Sequence, residues 1–230
     1  MRNIAVVLAG GSGLRAGFPL PKQFQKLSNK MVIEYSIEQF NRCALIDEIY
    51  IVVNKDYLSM MDSICKNNNW NKVSKVLCGG NERYDSTLAA INAYEGDECN
   101  IIFHDSVRPL VSERIITDVV KSLESHNAVN VAIPMVDTIL RREGDYIAEI
   151  PNRANYLSSQ TPQAFKLTLI KKAYELALND PNFTTSDDCG VVKRYIPNEP
   201  IFLVEGDSKN LKLTYKEDIL LLEQILNLGY

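Results

Sequence analysis

The chain has 230 residues, of which 46% are hydrophobic, and its formal net charge is −4. This length suits one α/β domain with a full core, and the negative charge supplies no basic stripe for a nucleic-acid backbone. No apolar run reaches the roughly 18 residues of a membrane span, and the first residues show neither a basic leader nor a cleavage-site pattern. These features predict a single-domain, cytoplasmic protein that binds neither nucleic acid nor membranes.

Runs of β-branched and aliphatic residues predict strands in a regular order. They lie at residues 4–8, 48–53, 73–77, 100–104, 130–133 and 201–204. Amphipathic segments of helical length occur between several of them and at the end of the chain, at residues 31–43, 57–67, 85–94, 112–125, 167–178 and 216–228. Strands that alternate with helices pair in parallel through right-handed crossovers. The sequence therefore predicts an α/β fold of three layers around a mostly parallel, twisted sheet.

Residues 136–160 interrupt this alternation. They consist of two short extended pieces with charged flanks, joined by a turn at Glu143, Gly144 and Asp145. Because a two-stranded ribbon is only marginally stable alone, it needs a surface to pack against. We therefore predict a protruding β-arm at about residues 136–160, with a second copy of the chain as its partner in a homodimer.

A glycine loop follows the first predicted strand, in the sequence LAGGSGLRAGFPLPKQF (residues 8–24). Residues 11–16 satisfy the GxGxxA template, which makes an NAD oxidoreductase one hypothesis. That template needs a helix directly after the loop, whereas Pro19 and Pro21 prevent a helix from continuing. No GK[ST] sequence closes the loop as a Walker A motif requires. The loop therefore indicates a phosphate site of another kind.

An extended glycine loop can turn several backbone N–H groups toward one concavity, which suits a polyphosphate. Arg15 and Lys22 would add positive charge there, the first as a planar fork and the second as a compact charge. The alternative is a tight turn with two solvated cations.

Asp105 and Arg108 stand at the end of the strand predicted at residues 100–104. Ligands of open α/β sheets bind at this edge, and the carboxylate could hold Mg²⁺ or a ligand hydroxyl. The alternative is a structural turn in which the Asp105 side chain acts as a cap and Arg108 forms an ion pair with it. His104, just inside the strand, is interpreted as a structural histidine.

Two further segments carry polar groups with ligand-binding potential. Gly79 and Gly80 allow close approach to the backbone, and Asn81 and Ser86 can hydrogen-bond a base or a ribose, although this segment could equally be a helix start. Lys212, ahead of the last helix, could be a second cation over the phosphates or an ordinary solvent-facing lysine.

Taken in order, seven motifs resemble the cytidylyltransferases that activate sugar-alcohol phosphates. They are LAGGSGLR, PKQF, GGNERYDS, HDSVRP, VDTI, NRANYLSSQTPQAF and GDSKNLKLT. This family comprises methylerythritol-4-phosphate enzymes of isoprenoid synthesis and ribitol-5-phosphate enzymes that supply CDP-ribitol for teichoic acids and capsules. The resemblance runs from about residue 4 to the last helix. It implies a Rossmann-like nucleotidyltransferase fold over residues 1–230, in which the β-arm serves dimerisation.

The resemblance also implies a set of site residues. Catalytic roles fall to Arg15, Lys22 and Lys212. The implied CTP-binding positions are Leu8, Ala9, Gly10, Gly11, Ser12, Gly13, Gly79, Gly80, Asn81, Ser86 and Asp105, and the family often has Asp where Asn81 stands. The implied substrate-binding positions are Asp105, Arg108, Asp137, Thr138, Arg153, Thr161 and Ser186, with the arm of one subunit completing its neighbour's pocket.

The implied reaction transfers CMP from CTP to a polyol phosphate. The acceptor phosphate attacks the α-phosphorus in line and expels pyrophosphate, with Mg²⁺ on the triphosphate, Asp105 as its candidate ligand and no organic cofactor. Ser106 and Val107 stand where methylerythritol enzymes typically carry two alanines, so the motifs favour ribitol 5-phosphate as acceptor. Methylerythritol phosphate is the alternative, and a nucleotide sensor without turnover is a third hypothesis that the two lysines argue against.

Overall fold

Strands and helices alternate along most of the chain, as predicted. The structure is a computed structural model that describes residues 1–11 and 20–229. The strands are β1 (Asn3–Ala9), β2 (Lys26–Leu27), β3 (Lys30–Met31), β4 (Glu48–Val53), β5 (Val73–Cys78), β6 (Asn100–Asp105), β7 (Ala128–Pro134), β8 (Arg141–Glu143), β9 (Tyr146–Glu149), β10 (Leu157–Lys166) and β11 (Phe202–Glu205). The helices are α1 (Val32–Arg42), α2 (Leu58–Asn68), α3 (Arg83–Ala93), α4 (Glu113–Ser122), α5 (Leu167–Leu178), α6 (Asp188–Tyr195) and α7 (Asp218–Asn227). Within the described ranges, none of these helices has the length and apolar character needed to cross a membrane.

The central sheet has seven strands in the order β11-β7-β10-β6-β1-β4-β5. Every neighbouring pair is parallel except those of β10, which runs antiparallel to both β6 and β7. The prediction of a mostly parallel sheet is confirmed. The sequence interpretation missed β10, however, and assigned residues 157–160 to the arm, because SSQTPQ is polar and contains a proline.

Alternate residues of β1 pack into two different cores. Ala5 and Val7 face helices α1, α2 and α4, whereas Ile4 and Val6 face α3, α5 and α6. This period of two, with both faces apolar, is typical of a strand buried between two helical layers. The predicted three-layer architecture is therefore confirmed. Helix α7 packs separately, around Leu213 and Leu222.

β8 and β9 form an antiparallel hairpin outside the central sheet. Gly144 lies in its turn with φ +59°, a left-handed conformation that favours glycine. The side chains of both strands are exposed, among them Tyr146 at 82% and Ile147 at 59%. The hairpin lies within the predicted arm, which is shorter than predicted because β10 begins at residue 157. Its part in dimerisation stays a prediction.

Candidate active site

The loops after β1, β5 and β6 meet at one edge of the sheet. Leu8 pairs with Asp105 in neighbouring strands, and the backbone N–H of Ser106 donates to the Leu8 carbonyl at 3.0 Å. On the other side, the N–H of Gly79 donates to the Val53 carbonyl at 2.7 Å. Because these strands are parallel, their carboxyl ends lie together, and ligands of such sheets bind there.

The Ser86 side chain lies between the first two of these loops. A Cβ added to Gly10 would be 2.5 Å from the Ser86 Oγ, and one added to Gly79 would be 2.6 Å from the same atom. At Gly80, an added Cβ would be 2.4 Å from the Cβ of Asp85. The structure thus brings together several of the predicted CTP-binding residues, at backbone positions where a side chain would collide.

Gln23 connects the glycine loop to the turn that carries Lys22. Its buried Nε2 donates to the carbonyls of Ala9 at 2.7 Å and Gly11 at 3.0 Å. Lys22 begins a single turn of 3-10 helix that ends at Phe24. The motif PKQF predicted a role for its lysine, whereas the role of its glutamine was missed. The predictions for Ser12, Gly13 and Arg15 lie outside the described residues.

Asp105 is paired with two cations. The Nζ of Lys212 donates to its Oδ2 at 2.8 Å, and the Nη2 of Arg83 lies 3.8 Å from its Oδ1. Although burial raises the pKa of this carboxyl, Lys212 and Arg83 outweigh that effect and hold the pKa well below its usual range. Asp105 is therefore ionised, and it lies close to one of the two predicted catalytic lysines.

Arg108 holds the segment that leads to Lys212. Its Nη1 donates to the carbonyl of Asn210 at 2.8 Å, and the fully buried Asn210 donates through Nδ2 to the Thr161 carbonyl at 2.9 Å. Burial lowers the pKa of the Arg108 guanidinium, and its Nε has no hydrogen-bond partner in the described part of the chain. The alternative interpretation is correct for the turn, since the Arg108 N–H donates to the Asp105 carbonyl at 3.0 Å, but the guanidinium hydrogen-bonds Asn210.

Thr161 and His104 form a buried hydrogen-bonded chain beneath Asp105. The Thr161 Oγ1 accepts from the backbone N–H of Asp105 at 3.1 Å and lies 3.1 Å from the Nδ1 of His104. The Nε2 of His104 lies 3.0 Å from the Arg108 carbonyl, which can only accept, so this nitrogen carries the proton. Burial lowers the pKa of His104 to about 4. His104 is thus neutral and structural, as predicted.

Arg83 and Asp188 are site residues that sequence reasoning missed. The Nη1 of Arg83 donates at 2.7 Å to the Oδ2 of Asp188, whose side chain is fully buried. Burial lowers the pKa of the Arg83 guanidinium, but Asp188 and then Asp105 raise it above its usual value. Arg83 lies inside the quoted motif GGNERYDS, yet a lone arginine at a helix start gives no local sign of a buried partner 105 residues away.

The remaining predicted residues are exposed. Asn81 and Ser186 are exposed outside the cluster around Asp105, and so are Asp137, Thr138 and Arg153. The Nη1 of Arg153 donates to the carbonyl of Val136, so this contact stays within the arm segment. Their parts in binding CTP or the acceptor stay predictions.

Asp105 is the carboxylate that the described residues place beside Lys212 at this edge of the sheet. Among residues 1–11 and 20–229, no three His, Cys, Asp or Glu side chains form a cluster able to hold an ion. Mg²⁺ commonly binds through one or two carboxylates together with substrate phosphates. The ionised Asp105 fits a metal that arrives on a triphosphate.

Comparisons with known proteins agree with the family resemblance of the seven motifs. The family model for 2-C-methyl-D-erythritol 4-phosphate cytidylyltransferase matches residues 3–228. The enzyme of that name from Thermobifida fusca is 39% identical, over 99% of this chain and 94% of its own length. A bifunctional ribulose 5-phosphate reductase/CDP-ribitol pyrophosphorylase from Haemophilus influenzae is 40% identical over 97% of this chain, but that match spans 48% of the relative.

Among solved structures, the 4-diphosphocytidyl-2C-methyl-D-erythritol synthase of Anaerococcus prevotii superposes with a TM-score of 0.87 at 29% identity. That match covers 98% of this chain and 96% of the other. The resemblance found in the seven motifs is therefore confirmed across the whole fold. The chain belongs to the 2-C-methyl-D-erythritol 4-phosphate cytidylyltransferase family and is a CTP-dependent nucleotidyltransferase.

Proposed function

We propose that this enzyme transfers CMP from CTP to 2-C-methyl-D-erythritol 4-phosphate and releases pyrophosphate. The family match over residues 3–228 and the full-length relative from Thermobifida fusca support this acceptor better than ribitol 5-phosphate, which the motifs favoured. The observation that carries the chemistry is the contact between Lys212 and Asp105 at the edge where the loops after β1, β5 and β6 meet.

Catalysis by this site rests on positioning and charge neutralisation. A phosphate monoester is already largely a dianion near neutral pH, so the acceptor needs no general base, and the neutral, buried His104 is not required as one. Lys22, Lys212 and Arg15 would offset the repulsion between acceptor and triphosphate and the charge that develops on phosphorus. Bound Mg²⁺ would add Lewis-acid stabilisation of the phosphate oxygens, and Asp105 would hold it.

The nucleotide pocket is proposed at Gly10, Gly79 and Ser86, with Asn81 beside them. Gly10 and Gly79 carry no side chains, and the Ser86 Oγ lies where their Cβ atoms would be. The backbone at this edge is therefore uncovered, which suits the flat face of a base. The Asn81 side-chain carbonyl can accept from the cytosine amino group. The glycine loop, extending to Gly13, would hold the triphosphate through backbone N–H groups.

The arm is proposed to pack against a second copy of the chain. Tyr146, Ile147 and Ile150 each expose more than half of their surface, and such apolar side chains are unfavourable in water. Arg153, with Asp137 and Thr138, would then reach the partner's acceptor pocket.

Ribitol 5-phosphate is the second candidate acceptor. Ser106 and Val107 and the relative from Haemophilus influenzae favour it. The purified enzyme should be given CTP, Mg²⁺ and equal concentrations of both polyol phosphates, and the two CDP products separated by mass spectrometry. A large excess of the methylerythritol product supports the proposal, whereas a predominance of CDP-ribitol would replace it with the second candidate.

A further inference from the structure

A buried carboxylate, Asp188, lies behind the site and is held by three side chains. Its Oδ1 accepts from the Tyr174 hydroxyl at 2.6 Å and the Thr87 hydroxyl at 2.9 Å, and its Oδ2 accepts from the Nη1 of Arg83 at 2.7 Å. A charge removed from water is tolerated only when it is paired and fully hydrogen-bonded. Asp188 meets both conditions, so its carboxylate is a fixed point in the core.

The backbone around Asp188 is also fixed. Its N–H donates to the Oε1 of the buried Gln163 in β10 at 3.1 Å, and the preceding Asp187 caps α6 by accepting from Gly190 at 2.8 Å. Asp188 therefore has little freedom to follow Arg83, and Arg83 must adopt the position that Asp188 sets.

Arg83 extends from this fixed point toward Asp105. Its Nη2 lies 3.8 Å from the Asp105 Oδ1, while Lys212 occupies Oδ2 at 2.8 Å. The Lys212 side chain is 48% exposed and that of Arg83 is 29% exposed. In the proposed function Lys212 also acts on substrate phosphates, and Arg83 is then the cation that stays beside Asp105, because Asp188 restrains it.

We propose that Asp188 is a positioning residue for cytidylyl transfer, which acts by holding Arg83 against Asp105. This inference rests on the proposed function. The chain of contacts from Asp188 through Arg83 to Asp105 also joins the segment after Ser186 to the start of α3, directly beyond the loop proposed to bind the nucleotide. Asp188 touches no reacting atom, and among the side chains that bond its carboxylate Arg83 is the one that lies beside Asp105.

Asp188→Asn tests this directly. Asparagine keeps the shape and can still accept from Tyr174 and Thr87 through Oδ1, but its amide N–H₂ opposes the Nη1 of Arg83. We expect kcat to fall by about 10- to 100-fold, the range typical of residues that orient a ligating side chain, with a smaller change in KM for CTP. Wild-type kcat in the folded variant would overturn the proposal.

Asp180→Asn is the matched control. Asp180 accepts from Arg194 and from the Tyr195 hydroxyl, each at 2.6 Å. The variant therefore disturbs an arginine and a tyrosine, as Asp188→Asn does, but it does not change the contact between Arg83 and Asp105. This variant should keep kcat nearly unchanged. A loss of kcat equal to that of Asp188→Asn would show a general effect of breaking such pairs, and would overturn the positioning role.

A double-mutant cycle distinguishes a positioning role of Asp188 from a general effect on stability, because it compares the kcat of the single and double variants. If Asp188 acts only through Arg83, the double variant Arg83→Gln/Asp188→Asn has the kcat of Arg83→Gln alone. If the loss of kcat in the double variant equals the product of the losses in the two single variants, the proposal is overturned. Should Asp188→Asn fail to fold, Arg83→Lys is the substitute variant. One ammonium cannot bridge the carboxylates of Asp188 and Asp105, so kcat should fall by the same factor. Full kcat in Arg83→Lys would contradict the inference.

The outcomes separate this inference from the proposed function. Turnover of the wild type with an unchanged Asp188→Asn variant overturns the inference alone. A wild type that releases no pyrophosphate with either polyol phosphate overturns the function and the inference together.

Discussion

The Nζ of Lys212 donates to the Oδ2 of Asp105 at 2.8 Å, although 107 residues separate the two in the chain. The contact exists because the N–H of Leu213 donates to the Val107 carbonyl at 2.8 Å and Arg108 holds the carbonyl of Asn210. The segment between Asn210 and Leu213 is thereby fixed beside the end of β6. The fold thus places a half-exposed ammonium at the edge where the nucleotide is proposed to bind.

Lys212→Gln should lower kcat by about 10²- to 10³-fold, because one charge that stabilises the transition state is lost. Lys209→Gln, a change at an exposed lysine of the same segment, should leave kcat nearly unchanged. Steady-state pyrophosphate release measures both. Equal kcat in the two variants would remove Lys212 from the catalytic set.

Gly80→Ala should destabilise the loop after β5. Its added Cβ would lie 2.4 Å from the Cβ of Asp85, an atom close to the backbone of α3 that cannot rotate away. The resulting shift weakens the bond from the Glu82 N–H to the Asp85 carboxylate, 2.9 Å long, so we expect a loss of about 1–3 kcal/mol in the free energy of unfolding. Gly11→Ala is the control for urea denaturation, since a Cβ there meets no atom of residues 1–11 or 20–229 within 4 Å. Equal stability of both variants would show that this close approach does not matter.

The buried His104 predicts how stability depends on pH. Its pKa is lowered by burial from an ordinary 6.5 to about 4, so the unfolded chain takes up this proton first as pH falls. The contribution is fully present above pH 6.5 and is lost between pH 6.5 and 4, where the free energy of unfolding should fall by about 2–3 kcal/mol. The neighbouring Asp105 has a lowered pKa, so its own contribution is lost at more acid pH.

The measurement is urea denaturation at pH 7 and pH 4 for the wild type and His104→Gln. Between pH 7 and pH 4, the free energy of unfolding should fall by less in His104→Gln than in the wild type. The same loss in both proteins would mean that another group titrates in this range.

The exposed hairpin predicts a dimer that apolar contacts hold together. Sedimentation equilibrium at micromolar concentration should give twice the chain mass of 25.9 kDa. Ile147→Glu should shift the protein to monomer, because a charge would be buried in the proposed interface. Leu220→Glu, at a leucine on α7 that is 65% exposed, should leave the dimer intact. A wild-type monomer would contradict both the dimer and the role of Arg153.

Local patterns were sufficient for the parallel part of the fold. The strands from β1 to β6 that join the central sheet are rich in β-branched and aliphatic residues. The motifs after them predicted Asp105, Gly79 and Ser86 at one edge of the sheet, where the structure brings them together. β10 was not predicted because its buried residues include polar side chains that hydrogen-bond to distant segments. These pairs are Gln160 with Asn210, Thr161 with His104, and Gln163 with Asp187. A polar residue with a distant partner has the same local signature as one in water.

The pair of Arg83 and Asp188 was missed for the same reason. Asp188 opens α6 within TTSDD, which predicts helix capping, and the structure gives that role to Asp187. Nothing in the local sequence distinguishes the second aspartate, which is fully buried, from the first. Only the packing of α3, α5 and α6 on one face of the sheet brings Arg83 and Tyr174 to it.

In the proposed reaction, the site joins CMP from CTP to a polyol phosphate. The most direct test of this reaction is pyrophosphate release by the wild type with CTP, Mg²⁺ and 2-C-methyl-D-erythritol 4-phosphate, beside reactions without acceptor and with ribitol 5-phosphate. We predict rapid release with the methylerythritol phosphate, little with ribitol 5-phosphate, and none without acceptor. CTP binding without pyrophosphate release under any of these conditions would show that this protein is not a cytidylyltransferase for either polyol phosphate.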